Sequence, residues 1–231
     1  MRLHNFFIGE PIEGKREVVV TDSSLLHQWR HVLRLNVGSQ VVLCDNSGFF
    51  YRALIKELSF RLARLEVLEK KWGDVVPKRH VTLFLALIKR DRFEWALEKA
   101  TELGVSRIAP TVAERSVKIR FDQRRAERII REAAEQSGRA TLPVLSPVVS
   151  LEGALEKVSD GTLALHPSGP LLEATSYQLP ATSFFIGPEG GWTERELALF
   201  REKNIPLASL GPATLRTETA ALAISSLALI P

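Results

Sequence analysis

Short apolar runs alternate with longer segments of helical periodicity over the carboxyl-terminal two thirds of the chain. Residues 92–103 carry Phe93, Ala96, Leu97, Ala100 and Leu103 on one face, and Gly104 follows as a stop. Alternation of strand and helix favours an α/β fold with a parallel sheet covered by helices. The predicted strands are residues 81–88, 108–112, 162–165, 183–186 and 206–210, and the predicted helices include 92–103, 123–137 and 219–229.

Polar residues mark where several of these helices begin. Asp122 is a good N-cap for the helix at 123–137, which ends before Gly138. Thr193 and Glu196 have the spacing of a capping box and predict a further helix start. The last helix is apolar on nearly every side, so we expect it to be buried.

The first 72 residues have a different pattern, with β-rich runs at 18–20, 40–45, 49–55 and 64–68 and one short helix at 24–33. The sequence Asp45-Asn46-Ser47-Gly48 predicts a hairpin turn between two of the runs. Residues 72–77 are interpreted as a linker. The chain is therefore divided into a small β domain, residues 1–72, and an α/β domain, residues 73–231.

Two loops follow β-like runs in the carboxyl-terminal part, and both are candidates for ligand binding. The first is Gly187-Pro188-Glu189-Gly190-Gly191; the second, residues 210–221, places Arg216 and Glu218 before an apolar helix. Ligands bind outside the carboxyl ends of strands in open α/β sheets, and the two loops would lie side by side there if their strands are adjacent. The alternatives are a simple glycine-rich turn and an Arg216–Glu218 ion pair that only caps the helix.

Composition narrows the function classes. The 231 residues include one cysteine, no apolar run approaches the length of a membrane span, and no signal peptide is apparent, so we expect a cytoplasmic protein without disulfides or membrane contact. His27 and His31 have no third ligand nearby in sequence, so no metal site is predicted. Dinucleotide, Walker and serine-hydrolase motifs are not found in the sequence.

Charge suggests a polyanionic partner. The net charge is +4, and residues 1–72 hold eleven basic against eight acidic side chains. A basic β domain suits RNA binding, although a plain packing domain agrees equally well with the charge. Residues 107–139 hold nine basic and five acidic side chains. A solvated helix face is one explanation, but Arg115, Lys118 and Arg120 are expected in a loop that a phosphate backbone can reach.

Several separated motifs resemble those of the ribosomal RNA small subunit methyltransferase E family, the 16S rRNA (uracil-N3)-methyltransferases of the SPOUT superfamily. The motifs are Lys89-Arg90-Asp91-Arg92-x-Glu94, Lys99 to Val105, Glu132 to Arg139, Gly187 to Gly191 and Leu215 to Ala220, with His31 to Arg34 matching the amino-terminal domain. The resemblance implies a SPOUT-type parallel sheet with a trefoil knot, preceded by a PUA-like β-barrel. It also implies S-adenosylmethionine as methyl donor, a homodimer, and methylation of one uridine in the decoding region of 16S ribosomal RNA.

The resemblance also assigns site residues. Arg216 is expected to stabilise negative charge on the uracil, and Glu218 to act as base or to orient Arg216, with Glu135 and Arg139 as alternatives. Competing hypotheses are a SPOUT enzyme that methylates a ribose 2′-hydroxyl or a tRNA base, and a non-catalytic RNA-binding assembly factor. Expected RNA contacts are Arg2, His31, Arg34, Arg115, Lys118, Arg120, Gln136 and Arg139. Expected donor contacts are Leu165, His166, Pro167, Ile186, Gly187, Pro188, Glu189, Gly190, Gly191, Leu210, Gly211, Leu215, Arg216, Thr217 and Ala220.

Overall fold

The computed structural model describes residues 3–73, 79–158, 160–172 and 182–229. Of these, residues 3–73 together with Ala134–Thr141 form one compact unit, and the remainder forms a second. Arg2 and positions 74–77 of the predicted linker lie outside the described residues. No helix in the described ranges is long and apolar enough to cross a lipid bilayer.

The first unit is built on a curled five-stranded sheet in the order β1-β3-β4-β5-β2. Only the β1–β3 pair is parallel. The sheet encloses a core in which Phe6 and Trp29 meet edge to face at 5.2 Å, with Tyr51 and Leu65 buried beside them. The elements are β1 Asn5–Phe7, β2 Glu17–Val20, α1 Ser23–His27, a π-helical segment Gln28–Val32, β3 Gln40–Cys44, β4 Phe49–Leu58 and β5 Ala63–Trp72.

The predicted hairpin in the first unit is confirmed, and two boundaries are corrected. β3 and β4 pair antiparallel around a turn in which Asn46 and Gly48 have φ of 65° and 90°. The predicted helix at 24–33 begins as α1, capped by Asp22, but widens into a π-helix after His27. Trp72 lies in β5 rather than in a linker, since its backbone pairs with Phe49.

The segment Ala134–Thr141 is held to β1 within this unit through Glu135. Glu135 Oε1 accepts a hydrogen bond from the amide of Phe7 at 2.9 Å, and its carbonyl accepts one from Asn5 Nδ2 at 3.3 Å. Arg139 is only 1% exposed, and burial lowers its pKa to about 10. The segment therefore packs against β1, with Arg139 buried and Gln136 exposed.

The second unit contains a sheet in the order β12-β10-β11-β6-β7-β8, with β9 also paired to β7, and every pair is parallel. The predicted α/β class with a parallel sheet is therefore confirmed. The elements are β6 Thr82–Ala86, α2 Arg90–Leu103, β7 Arg107–Val112, α3 Gln123–Ser137, β8 Val144–Leu145, β9 Val149–Ser150, α4 Leu151–Leu155, β10 Thr162–Leu165, β11 Ser183–Ile186, α5 Glu194–Glu202, β12 Leu207–Ala208 and α6 Thr217–Leu229.

Both faces of this sheet are covered, because successive strand residues point to opposite sides. Leu83, Leu85, Phe184 and Ile186 pack with α2 and α6 on one face, while Phe84 and Phe185 stack at 4.4 Å on the other. Burial on two faces explains why these strands are continuously apolar. The core on the face covered by α2 and α6 also contains Phe93, Leu97, Ala221, Ile224 and Ala228. The core on the opposite face also contains Leu155, Trp192, Leu197 and Phe200.

The predicted helix signals agree with the structure, but the strand order does not follow the simplest expectation. Thr193 and Glu196 form a capping box, and Gly104 ends α2 with a φ of 103°. α6 begins two residues earlier than predicted, and the Arg216 carbonyl accepts the Ala220 amide at 2.8 Å. The strands that precede the two candidate loops are not adjacent, since β10 lies between β11 and β12.

Candidate active site

A cavity of about 420 Å³ lies in the second unit, at the carboxyl ends of β10, β11 and β12. This volume is within the range of roughly 300–1,000 Å³ typical of small-molecule sites. The two candidate loops reach it from either side although their strands are not neighbours. The lining residues are Arg115, Leu165, His166, Pro167, Ile186, Gly187, Pro188, Glu189, Gly190, Gly191, Trp192, Ala208, Ser209, Leu210, Ala213, Thr214, Leu215, Arg216, Thr217 and Ala220.

The residues expected to contact the donor are brought together here, with one exception. Gly211 does not line the cavity, although every other member of that set does. Arg115, which was interpreted as a phosphate contact, also lines it. The lining residues that the sequence analysis missed are Trp192, Ala208, Ser209, Ala213 and Thr214. Trp192 could have been identified, because it directly follows the glycine-rich loop.

The glycine-rich loop is tightly folded and closely packed. The amide of Gly191, at a φ of 68°, donates to the Pro188 carbonyl at 2.8 Å and closes a turn. A Cβ on Gly187 would lie 3.0 Å from Trp192 Cε2, so only glycine fits without displacing the indole. That indole is fixed in turn, since its Nε1 donates to the Leu165 carbonyl at 3.1 Å.

Two side chains from distant parts of the chain bind the carbonyls of this loop. Thr217, in the first turn of α6, donates its hydroxyl to the Gly187 carbonyl at 2.8 Å. Arg115, in the loop after β7, donates from Nη1 to the Gly190 carbonyl at 2.7 Å. These bonds hold the loop in one conformation at the mouth of the cavity.

Arg92, at the start of α2, bridges two carboxylates near the cavity. Its Nη1 lies 3.2 Å from Glu189 Oε1, and its Nε lies 3.8 Å from Glu218 Oε1. Glu218 is 8% exposed, and within the described ranges its Oε2 is buried without a hydrogen-bond partner. Glu218 itself does not line the cavity, whereas its neighbour Thr217 does.

Arg216 is exposed at the edge of the cavity. The alternative of an Arg216–Glu218 ion pair is not seen, because the carboxylate of Glu218 pairs with Arg92 instead. No carboxylate lies within 4.0 Å of the Arg216 guanidinium in the part of the chain that the structure describes. Its positive charge is thus available to a ligand or substrate.

The remaining expected RNA contacts lie elsewhere. Lys118 and Arg120 are exposed in the second unit outside the cavity lining, and His31, Arg34 and Gln136 are exposed in the first unit. Arg139 is buried, so its interpretation as a direct RNA contact disagrees with the structure. Glu135 is occupied by the Phe7 amide, which argues against it as an alternative base.

Comparison with known proteins agrees with this geometry. Residues 76–229 match the RNA methyltransferase domain family, and residues 30–68 match the RNA methyltransferase PUA domain family. Ribosomal RNA small subunit methyltransferase E of Bacillus subtilis is 32% identical over 217 residues, which cover 85% of this chain and 84% of the relative. The Synechocystis protein of the same name is 36% identical over 214 residues, covering 87% and 69%.

A solved structure of a relative has the same fold. Ribosomal RNA small subunit methyltransferase E of Neisseria gonorrhoeae, crystallised with S-adenosyl methionine, superposes with a TM-score of 0.89 at 30% identity and covers 97% of this chain and 96% of its own. The sequence motifs, the domain matches and the shared architecture point the same way. The chain belongs to the ribosomal RNA small subunit methyltransferase E family of RNA methyltransferases.

Proposed function

We propose that this protein transfers a methyl group from S-adenosylmethionine to N3 of a uridine in 16S ribosomal RNA. The observation that carries the proposal is the cavity at the strand ends, bounded by the glycine-rich loop and by the start of α6 with Arg216. The names of the relatives and the S-adenosyl methionine bound in the Neisseria gonorrhoeae protein support the same assignment.

The lining of the cavity fits such a donor. Leu165, Ile186 and Leu210 offer apolar contacts for an adenine ring, and the glycine-rich loop lets main-chain groups approach the ligand closely. The charged side chains Arg115 and Glu189 suit the amino-acid end of the donor. When bound, the sulfonium supplies an electrophilic methyl group.

Transfer to N3 requires that the uracil lose the proton on that nitrogen. Arg216 is suited to stabilise the negative charge that develops on the uracil oxygens, because its guanidinium is exposed at the cavity and has no carboxylate partner within the described residues. Glu218 is the nearby candidate base. Its unpartnered Oε2 can accept a proton, although the carboxylate must turn towards the cavity to reach a substrate.

We assign RNA binding outside the cavity to exposed side chains that can donate hydrogen bonds to phosphate. His31 and Arg34 supply it in the first unit, and Lys118 and Arg120 in the second. The boundaries 1–72 and 73–231 for an RNA-holding domain and a catalytic domain remain a prediction, as do the trefoil knot and the homodimer. The proposed ribosomal RNA substrate supports a cytoplasmic location.

The decisive experiment locates the methyl group. Small ribosomal subunits and free 16S ribosomal RNA are incubated with the protein and a donor labelled in its methyl group, and the modified nucleoside is identified by digestion and mass spectrometry. We expect 3-methyluridine at a single position. Label on a ribose 2′-hydroxyl or on transfer RNA would point to another SPOUT activity, and no label despite donor binding would point to a non-catalytic assembly factor.

A further inference from the structure

Arg115 lines the cavity and forms no ion pair with any of the described residues. It follows β7 and donates one hydrogen bond from Nη1 to the Gly190 carbonyl at 2.7 Å. A guanidinium carries five N–H donors, so four remain for other partners. Within the described ranges no carboxylate lies within 4.0 Å of it.

The two carboxylates closest to Arg115 by their positions are already engaged. Glu114, its neighbour in sequence, accepts from Arg195 Nη1 at 3.0 Å. Glu189, on the same loop as Gly190, pairs with Arg92 at 3.2 Å. Among the described residues, no carboxylate therefore compensates the charge of Arg115 where it borders the cavity.

The cavity lining contains two arginines with different surroundings. Arg216 directly precedes the helix α6, two residues before the buried Glu218 that we propose as base. Arg115, in the loop after β7, packs against the glycine-rich loop, where the Gly190 carbonyl accepts a hydrogen bond from its guanidinium. A donor with one carboxylate requires one of these cations, and the uracil requires the other.

We propose that Arg115 binds the carboxylate of the amino-acid end of S-adenosylmethionine and so selects donors and products that carry this group over nucleosides that lack it. The inference rests on the proposed function and deepens it. The Gly190 hydrogen bond orients the guanidinium before the ligand arrives, which reduces the entropy lost on binding. Charge-assisted bonds between guanidinium and carboxylate are among the stronger polar contacts.

Two ligands that differ at this end test the assignment by calorimetry. S-adenosylhomocysteine has the complete amino-acid end, while 5′-methylthioadenosine has a methyl group in its place. Arg115→Gln removes the charge but keeps an amide donor, and Arg115→Lys keeps the charge. Arg124→Gln is the matched control, because it removes an exposed charge on α3 that does not line the cavity and has no assigned role in binding.

We expect Arg115→Gln to weaken S-adenosylhomocysteine about tenfold, as typical of a lost hydrogen bond between charged groups. The affinity for 5′-methylthioadenosine should not change. Arg115→Lys should bind S-adenosylhomocysteine with an affinity between those of wild type and Arg115→Gln, and Arg124→Gln should alter neither affinity. An equal loss for both ligands would show that Arg115 only holds the loop and would overturn the proposal, as would no loss at all. If the wild-type protein bound neither ligand, the proposed function would fail instead.

Discussion

The hydroxyl of Thr217 donates to the carbonyl of Gly187 at 2.8 Å, and this bond joins the first turn of α6 to the loop that follows β11. The two residues are 30 positions apart in the chain. Both line the cavity, and Thr217 is only 4% exposed. The bond therefore fixes the spacing between the glycine-rich loop and the helix that carries Arg216 and Glu218.

Replacing Thr217 with valine should weaken donor binding and destabilise the fold. Valine has the same shape but no hydroxyl, so the partly buried Gly187 carbonyl loses the hydrogen bond from Thr217, at a cost of about 1 kcal/mol. Thr217→Ser keeps the hydroxyl and is the matched control. Calorimetry with S-adenosylhomocysteine and thermal melts of both variants measure the effect. Equal behaviour of the two variants would contradict a role for the hydrogen bond.

Loss of Arg92 should destabilise the protein more than loss of an exposed arginine. Arg92→Ala leaves the buried Glu218 without its cationic partner and also removes the partner of Glu189. Breaking such a partly buried ion pair costs more stability than breaking a pair on the surface. Arg128→Ala is the control, because its pair with Glu132 is exposed on both sides and should contribute at most about 1 kcal/mol. Urea titrations compare the free energies of unfolding. A change no larger than that of Arg128→Ala would show that the bridge does not stabilise the site.

The catalytic assignment predicts slow but folded enzymes. Arg216→Ala and Glu218→Gln should each lower the single-turnover rate by roughly a hundredfold, while RNA affinity changes little. Arg201→Ala removes an exposed arginine outside the cavity and should leave the rate unchanged. Near-normal rates per folded molecule would remove both residues from the catalytic list.

Arg34 provides a test of RNA binding by the first unit. It is exposed and has a φ of 54°, a conformation that asparagine tolerates better than most residues, so Arg34→Asn removes the charge with little backbone strain. If Arg34 contacts a phosphate, RNA affinity should fall and the slope of log affinity against log salt should decrease by about one. Arg34→Lys should retain the slope. An unchanged slope in Arg34→Asn would exclude the contact.

Cys44 should be unreactive in the folded protein and should make stability depend on alkaline pH. Burial, reinforced by Glu135 and Asp45, raises the pKa of its thiol from 9.0 to about 12. The unfolded thiol ionises first as the pH rises, so the free energy of unfolding should fall between about pH 9 and 12, by at most about 1.4 kcal/mol per pH unit. The difference between wild type and Cys44→Ala in urea titrations isolates this contribution. Rapid reaction of the native thiol at pH 8 would contradict it.

Much of the second unit was predictable because its signals are local. The capping box at Thr193 and the stop at Gly104 depend on neighbouring residues, and a strand buried on both faces is apolar throughout. The two-residue strands β8 and β9 were missed because they are too short for a periodic pattern. The position of β10 between β11 and β12 depends on tertiary contacts, and no local sequence pattern predicts it.

The loops that form the site could be predicted from the sequence, but the contacts between their side chains could not. The glycine-rich loop and Arg216 stand out in sequence, whereas the pairing of Glu218 with Arg92 depends on two helices meeting in space. The sequence offered only Arg216 as an alternative partner, since the two residues are two positions apart at the start of α6. The burial of Arg139 could not be predicted from the sequence either, because an arginine in a basic segment is normally exposed to solvent.

The deep burial of α6 has a consequence for the order of events during synthesis. Ala221 and Ile224 are fully covered by α2 and the sheet, and Thr217 completes the loop that was made 30 residues earlier. A nascent chain therefore has no finished donor cavity until α6 has left the ribosome. A product truncated before residue 217 would bear an open apolar face in place of the cavity, and so would be a substrate for chaperones and proteases rather than a competitor for ribosomal RNA.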